Sequence, residues 1–193
     1  KMTSLRRLLA SRTRKAILLS ALIAVTLGTA AYAYVASLPP HVGPRAAITS
    51  SPVEFATELE RAEFQQGENM TIKISLKNIG NRTITAKWPA YYSVGDGRIM
   101  YFDFDVLDAN NTLVYRWTLD KFALQSVLVE TLEPGEQLTS AYVWFQMSDV
   151  PYTQVPKGTY HIKGITHRFA LTVNGQTTSG ILLETPTITI TIA

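Results

Sequence analysis

The chain is predicted to be an all-β protein, an antiparallel β-sandwich preceded by a single apolar N-terminal helix. Three observations predict this. After Ser51 short alternating apolar and polar runs recur between turn residues, and no segment there sustains a helical period. One uncharged run, Ala16 to Ala36, stands apart from all of this near the N-terminus.

The expected strands are 53–60, 69–77, 82–88, 99–107, 112–118, 126–132, 136–146, 158–165, 168–173 and 185–192. In 69–77, Met70, Ile72, Ile74 and Leu76 share one face while Thr71, Lys73, Ser75 and Lys77 take the other, because side chains alternate along a strand. The same alternation in 99–107 puts Met100, Phe102, Phe104 and Val106 inward and Tyr101, Asp103, Asp105 and Leu107 on the opposite, solvent-facing side. Asp108-Ala109-Asn110-Asn111 then reads as a turn, made of residues that bond their own backbone and tolerate left-handed angles. The DxDxxD pattern of Asp103, Asp105 and Asp108 lacks the central glycine and distal glutamate of a helix-loop-helix calcium loop, so a strand and turn explain it without an ion.

Ala16 to Ala36 is long enough to cross a hydrocarbon core of about 30 Å as a helix. Lys1, Arg6, Arg7, Arg12, Arg14 and Lys15 all precede it, which places 1–15 in the cytoplasm and the rest of the chain outside, at a cell membrane. A cleaved signal peptide ending near Ala33, at Ala31-Tyr32-Ala33, would export the domain as a secreted or cell-surface protein instead. A retained anchor over 16–36 is preferred, because the apolar run exceeds the usual signal core. Residues 37–52 hold four prolines and are expected to be a semi-rigid linker, with the folded domain spanning 53–193.

Those N-terminal residues also carry a third of the positive charge. The remainder has 12 Lys and Arg against 15 Asp and Glu, so the folded part is mildly acidic and nucleic acid is not an expected partner. The absence of cysteine excludes disulfides, thiolate metal sites and a cysteine nucleophile. His41, His161 and His167 do not form a metal-ligand spacing, and no nucleophile elbow, phosphate loop or His-Glu-x-x-His occurs. No cofactor, metal site or catalytic residue is expected, and the chain reads as a non-enzyme.

Strand parity sends the turns at "NIGN", "DANN", "EPG" and "TH" to the end facing the membrane and the longer loops 61–68, 89–98, 119–125 and 147–157 to the far end. On those far loops Tyr91, Tyr92, Pro151, Tyr152 and Val155 are the candidate contacts for a protein partner, since loops on a rigid frame carry binding and tyrosine offers stiff amphipathic area. Three sequons place possible glycans on Asn69, Asn81 and Asn110, each at an expected strand edge or turn.

The order "LKNIGN", "YFDFDVLDANNTLVYRW", Phe122, "LEPGEQL", Trp144 and "KGTYHIKG" resembles the intracellular proteinase inhibitor family of the BsuPI type over about residues 55–165. The resemblance implies an immunoglobulin-like sandwich and a proteinase as partner. Tyr101, Trp117, Trp144 and Tyr160 within it are expected to pack the core. The expected function is therefore a membrane-tethered, non-catalytic binding domain. A different class of reading is a surface or filament subunit that joins identical subunits by strand addition, using "TPTITITIA" or the segment 46–58.

Overall fold

The computed structural model describes residues 43–92, 99–120 and 122–193, with side chains described for all of these but 90–92, 99, 100, 120 and 122–126. The expected span at 16–36, its basic flank and the first part of the linker, residues 37–42, lie outside them. Among the described residues no helix is long and apolar enough to cross a membrane.

Among the described residues fourteen strands follow in order: β1 Arg45–Ser50, β2 Val53–Leu59, β3 Glu63–Phe64, β4 Met70–Asn78, β5 Ile84–Tyr92, β6 Ile99–Met100, β7 Phe102–Asp108, β8 Leu113–Arg116, β9 Phe122–Leu132, β10 Gln137–Trp144, β11 Gly158–Thr166, β12 Phe169–Val173, β13 Gln176–Ile181 and β14 Ile188–Ile192. A 3-10 turn, Trp117–Asp120, follows β8. Sheet A runs β1-β2-β4-β10, sheet B runs β3-β14-β11-β7-β8, and sheet C runs β13-β12-β5-β6 with β9 on the other side of β5. All pairings are antiparallel except the two-residue contact of β3 with β14. The result is all-β and sandwich-like, as the alternation predicts.

Period-two burial builds the core between sheets A and B. Val53, Phe55, Thr57 and Leu59 of β2 and Met70, Ile72, Ile74 and Leu76 of β4 point inward and are buried. From β7, Phe102, Phe104 and Val106 meet them, and Phe55 packs edge-on against Phe102 at 5.4 Å. Trp88 on β5 stacks on Phe169 of β12 at 5.6 Å and contacts Phe102 at 6.1 Å, tying sheet C to the same core. The layers also meet through polar groups. Tyr142 of β10 donates to the Phe102 carbonyl at 2.6 Å, and Thr57 Oγ1 lies 3.1 Å from Thr185 Oγ1, which accepts from the Gly164 amide at 3.0 Å. A Cβ on Gly164 would stand 2.1 Å from Thr57 Oγ1, so only glycine lets β11 approach β2 this closely.

The structure corrects four expectations. Residues 45–50, assigned to the linker, form β1: "RAAITS" lies between prolines but contains none, so every amide can pair, and Arg45 holds Glu54 and Glu58 of β2. The "DANN" turn lies at the end of the sandwich that carries the 145–157 connection, because the short strand β6 adds a reversal before β7; Asp108 consequently sits opposite Tyr160 at the start of β11. The "TITITI" strand, β14, is already held by β11 along its length and by β3 at its end, so it is not free for donation; within 46–58, β2 is flanked by β1 and β4, and β1 is the edge strand of its sheet. The fourth concerns Asp103 and Asp105.

Candidate functional site

Asp103 and Asp105 alternate away from the core as expected, yet both are buried. Their strand is internal, and its neighbours cover it. Arg116 on β8 lays its guanidinium bidentately on Asp105, Nε to Oδ1 at 2.6 Å and the terminal nitrogen to Oδ2 at 2.7 Å, and Lys163 on β11 reaches to 4.0 Å while pairing with Glu184 at 2.8 Å. Asp103 accepts the Phe104 amide at 2.8 Å, the Thr118 amide at 3.3 Å and the Thr118 hydroxyl, and so caps the 3-10 turn. Burial pushes the Asp103 carboxyl up to about 6, against the lowering effect of the Thr118 and Phe104 hydrogen bonds. Both carboxylates are thus committed to the chain's own donors; they frame β7 and β8. Asp108 makes the expected Asx turn, accepting the Asn110 and Thr112 amides at 2.8 Å each, with Asn111 left-handed at φ 61°.

The connection between β10 and β11, residues 145–157, is held by hydrogen bonds from several elements. Its base is Gln146, fully buried and left-handed at φ 56°. The Gln146 side chain accepts the Gly67 amide at 2.8 Å and donates to the Gln65 carbonyl at 2.9 Å, and its own carbonyl accepts the Val155 amide at 2.8 Å. Loops 61–68 and 147–157, expected at one end, are therefore joined there, a link reinforced by Gln66 Nε2 donating to the Val155 carbonyl at 2.8 Å. One rung higher, Ser148 and Thr153 pair through the Ser148 amide and Thr153 carbonyl at 2.9 Å, and Ser148 Oγ also donates to the Pro151 carbonyl. On the β8 side the Asp149 amide donates to the Val114 carbonyl at 3.0 Å and the Asp149 carboxylate accepts the Arg116 amide at 2.7 Å.

Two of the aromatic positions singled out in the sequence, together with Arg116, support this loop from below. Trp144 Nε1 donates to the Met147 carbonyl at 2.9 Å, and the Tyr160 hydroxyl donates to the Pro156 carbonyl at 2.7 Å, so the two rings, edge-on at 6.2 Å, grip the loop's entry and exit while packing the core. Arg116 supplies the third tie through its amide. The other motif pair closes the opposite end: buried Asn78 bonds the Arg82 and Leu132 carbonyls through Nδ2, and its backbone exchanges bonds with Gly135 and Glu136 of the Pro-Gly-Glu turn at 2.9 Å each.

Above these braces the tip Val150-Pro151-Tyr152 is presented to solvent, with Val150 91% and Tyr152 68% exposed. Pro151, following a cis peptide bond, is exposed too. Of the candidate contacts, Pro151 and Tyr152 therefore stand together on the surface. Val155 does not: it is buried, because the loop turns back into the core at that point and uses Val155 as its foot. Tyr91 and Tyr92 belong to β5 in another sheet, their backbones opposite Met100 and Ile99 on one edge and Ala123 and Phe122 on the other; their side chains lie outside the described residues. Val150, the most exposed apolar residue of the tip, was missed by a reading that looked for tyrosines. Asn69, Asn81 and Asn110 are all exposed and lie outside the strands.

Among solved structures the chain is similar to a β-glucosidase from Erythrobacter marinus, at 16% identity and TM-score 0.34, covering 73% of this chain and 15% of that one. It is also similar to the CARDB domain of a Pyrococcus furiosus protein in complex with di-metal ions, at 13% identity and TM-score 0.34, covering 76% and 93%. A third likeness is to the Pseudomonas fluorescens alkylpurine DNA glycosylase AlkC bound to DNA containing an abasic site analog, at 12% identity and TM-score 0.35, covering 74% and 31%. The chain thus spans under a sixth of the glucosidase's length, and likenesses this distant decide nothing about activity. No curated protein matches the sequence. The family model for intracellular proteinase inhibitors matches residues 57–169, more than half of the chain and all of the elements that build and brace the 145–157 loop from β4 onward. The chain belongs to the BsuPI family of intracellular proteinase inhibitors.

Proposed function

We propose that this protein is a non-catalytic inhibitor that blocks a proteinase by inserting the tip of its 145–157 loop into the enzyme's cleft. The observation that carries the reading is the pairing of an apolar, solvent-exposed tip at Val150-Pro151-Tyr152 with a base held by Gln146, Trp144, Tyr160 and Arg116. A loop that is already ordered loses little conformational entropy on docking, which is what separates an inhibitor from a substrate of similar contact area. A braced loop also resists the local opening that cleavage of its backbone requires. Family membership supplies the class of partner. The apolar run at 16–36 and its basic flank support a tether that places the domain outside a membrane, where it would meet an exported proteinase.

The test is inhibition by the purified full chain, in mild detergent, of proteinases of several specificities, with the double variant Val150→Ala, Tyr152→Ala beside it. Loss of two exposed anchors should weaken inhibition by roughly a hundredfold or more while leaving the melting temperature within about 2 °C, since neither side chain packs the core. Unchanged inhibition by the double variant would show that the tip is not the contact.

A further inference from the structure

Resting on that reading, we propose that the tip is built for proteinases whose primary specificity pocket takes an uncharged side chain, and that Tyr152 is the residue that fills it. The stretch Val150 to Pro156 contains no charge, and the charges at its two ends are Asp149 and Lys157. Asp149 is turned away from the tip, its carboxylate on the Arg116 amide at 2.7 Å, and Lys157 lies beyond buried Val155, at the foot of the loop. Among the described residues of this loop no cation therefore stands at the tip to meet a carboxylate at the base of a pocket. A pocket of that kind would bury its carboxylate unpaired against the tip, which disfavours complex formation strongly. A pocket walled by apolar groups would instead gain the full contact area of an aromatic ring.

Between the two exposed apolar residues, position selects Tyr152. The residue after it, Thr153, is the last held by the cross-loop rung: its carbonyl accepts the Ser148 amide at 2.9 Å and its amide donates to Ser148 Oγ at 3.3 Å. The Pro151 carbonyl just before it accepts Ser148 Oγ. Tyr152 is thus flanked on both sides by backbone groups tied to Ser148, while its side chain projects free, 68% exposed. Aromatic anchors with fixed backbones are the residues that dominate interface energies. Val150, at the summit, has less area to bury, and the preceding Asp149 is the tied residue on its side.

The experiment compares inhibition constants of the full chain against three proteinases: one with an apolar pocket that accepts aromatic side chains, one with a carboxylate at the pocket base that cuts after Lys or Arg, and one with a small pocket. Preference for the first over the second by about a hundredfold or more is expected. Tyr152→Arg should reverse that order by at least roughly tenfold, and Val150→Ala should leave it in place. Inhibition that favours the Lys- or Arg-cutting enzyme, or an order that Tyr152→Arg does not change, overturns this inference and leaves the inhibitory reading standing. Failure to inhibit any of the three removes both, and the melting temperature of each variant separates a lost contact from a lost fold.

Discussion

Asp103 and His167 are buried groups whose burial acts in opposite senses with pH. Burial raises the Asp103 carboxyl to about 6, so its favourable contribution is complete below the unfolded value near pH 4 and is lost as pH rises through about 6. Burial, aided by the positive charge of Arg116, lowers His167 to about 4; its contribution is present above about pH 6.5 and lost as pH falls through 4. Each shift is about two pH units, or roughly 3 kcal/mol, so between pH 6.5 and 4 the two trends oppose each other. Relative to the parent, Asp103→Asn should lose stability on acidification across that window, and His167→Gln should gain it. Urea unfolding at pH 7, 5.5 and 4 reads both slopes. At Asp105 the expectation concerns a pair: Arg116→Ala strands a buried carboxylate and should cost about 2–4 kcal/mol, and Arg116→Lys should restore only part of it, because lysine cannot make the two-pronged contact. The alternation of "YFDFDV" shows on which side these aspartates point. It does not show that the side is covered, because cover comes from strands distant in sequence whose order the pattern does not contain.

At the scale of elements, regular strands were legible and exceptions were not. β2, β4, β7, β10, β11 and β14 follow from period two and begin or end within two residues of expectation. β13 escaped because "QTTSGI" is almost wholly exposed and has no apolar face to reveal it, and β9 starts earlier than its apolar pattern suggests because it pairs with the extended end of β5. A loop at 147–157 was legible as a candidate from its length and tyrosine, but its inward turn at Val155 and its brace at Gln146, expected in the preceding strand, depend on loop 61–68, some eighty residues away in sequence. Gln146→Ala would leave the Gly67 amide and Gln65 carbonyl without their partner. It should cost about 2–4 kcal/mol and, unlike the tip variants, weaken inhibition and lower the melting temperature together. Tip and brace are thereby separable: calorimetry sees one class of variant and enzyme inhibition sees both.

For the molecule as a whole, the buried apolar side chains described from Val53 to Ile192, all but Ala56 and Ile165, join one core that needs no disulfide, as the sequence has no cysteine. Residues 43–193 expressed alone should therefore unfold in one cooperative transition that reductant does not shift, measured by circular dichroism with and without dithiothreitol; a broad or reductant-sensitive melt would place essential contacts elsewhere. The contact of Thr57, Thr185 and Gly164 has a mechanical consequence. It is a hydroxyl rivet through a largely apolar seam, set where Gly164 lets β11 approach β2 closely, and sliding one layer past the other by a single pleat would strip it of its hydrogen bonds and drive Thr57 into backbone. The loop that we assign to the proteinase leaves one layer and enters the other, so resistance of the seam to shear is what keeps its two feet at a constant spacing when an enzyme pulls on the tip.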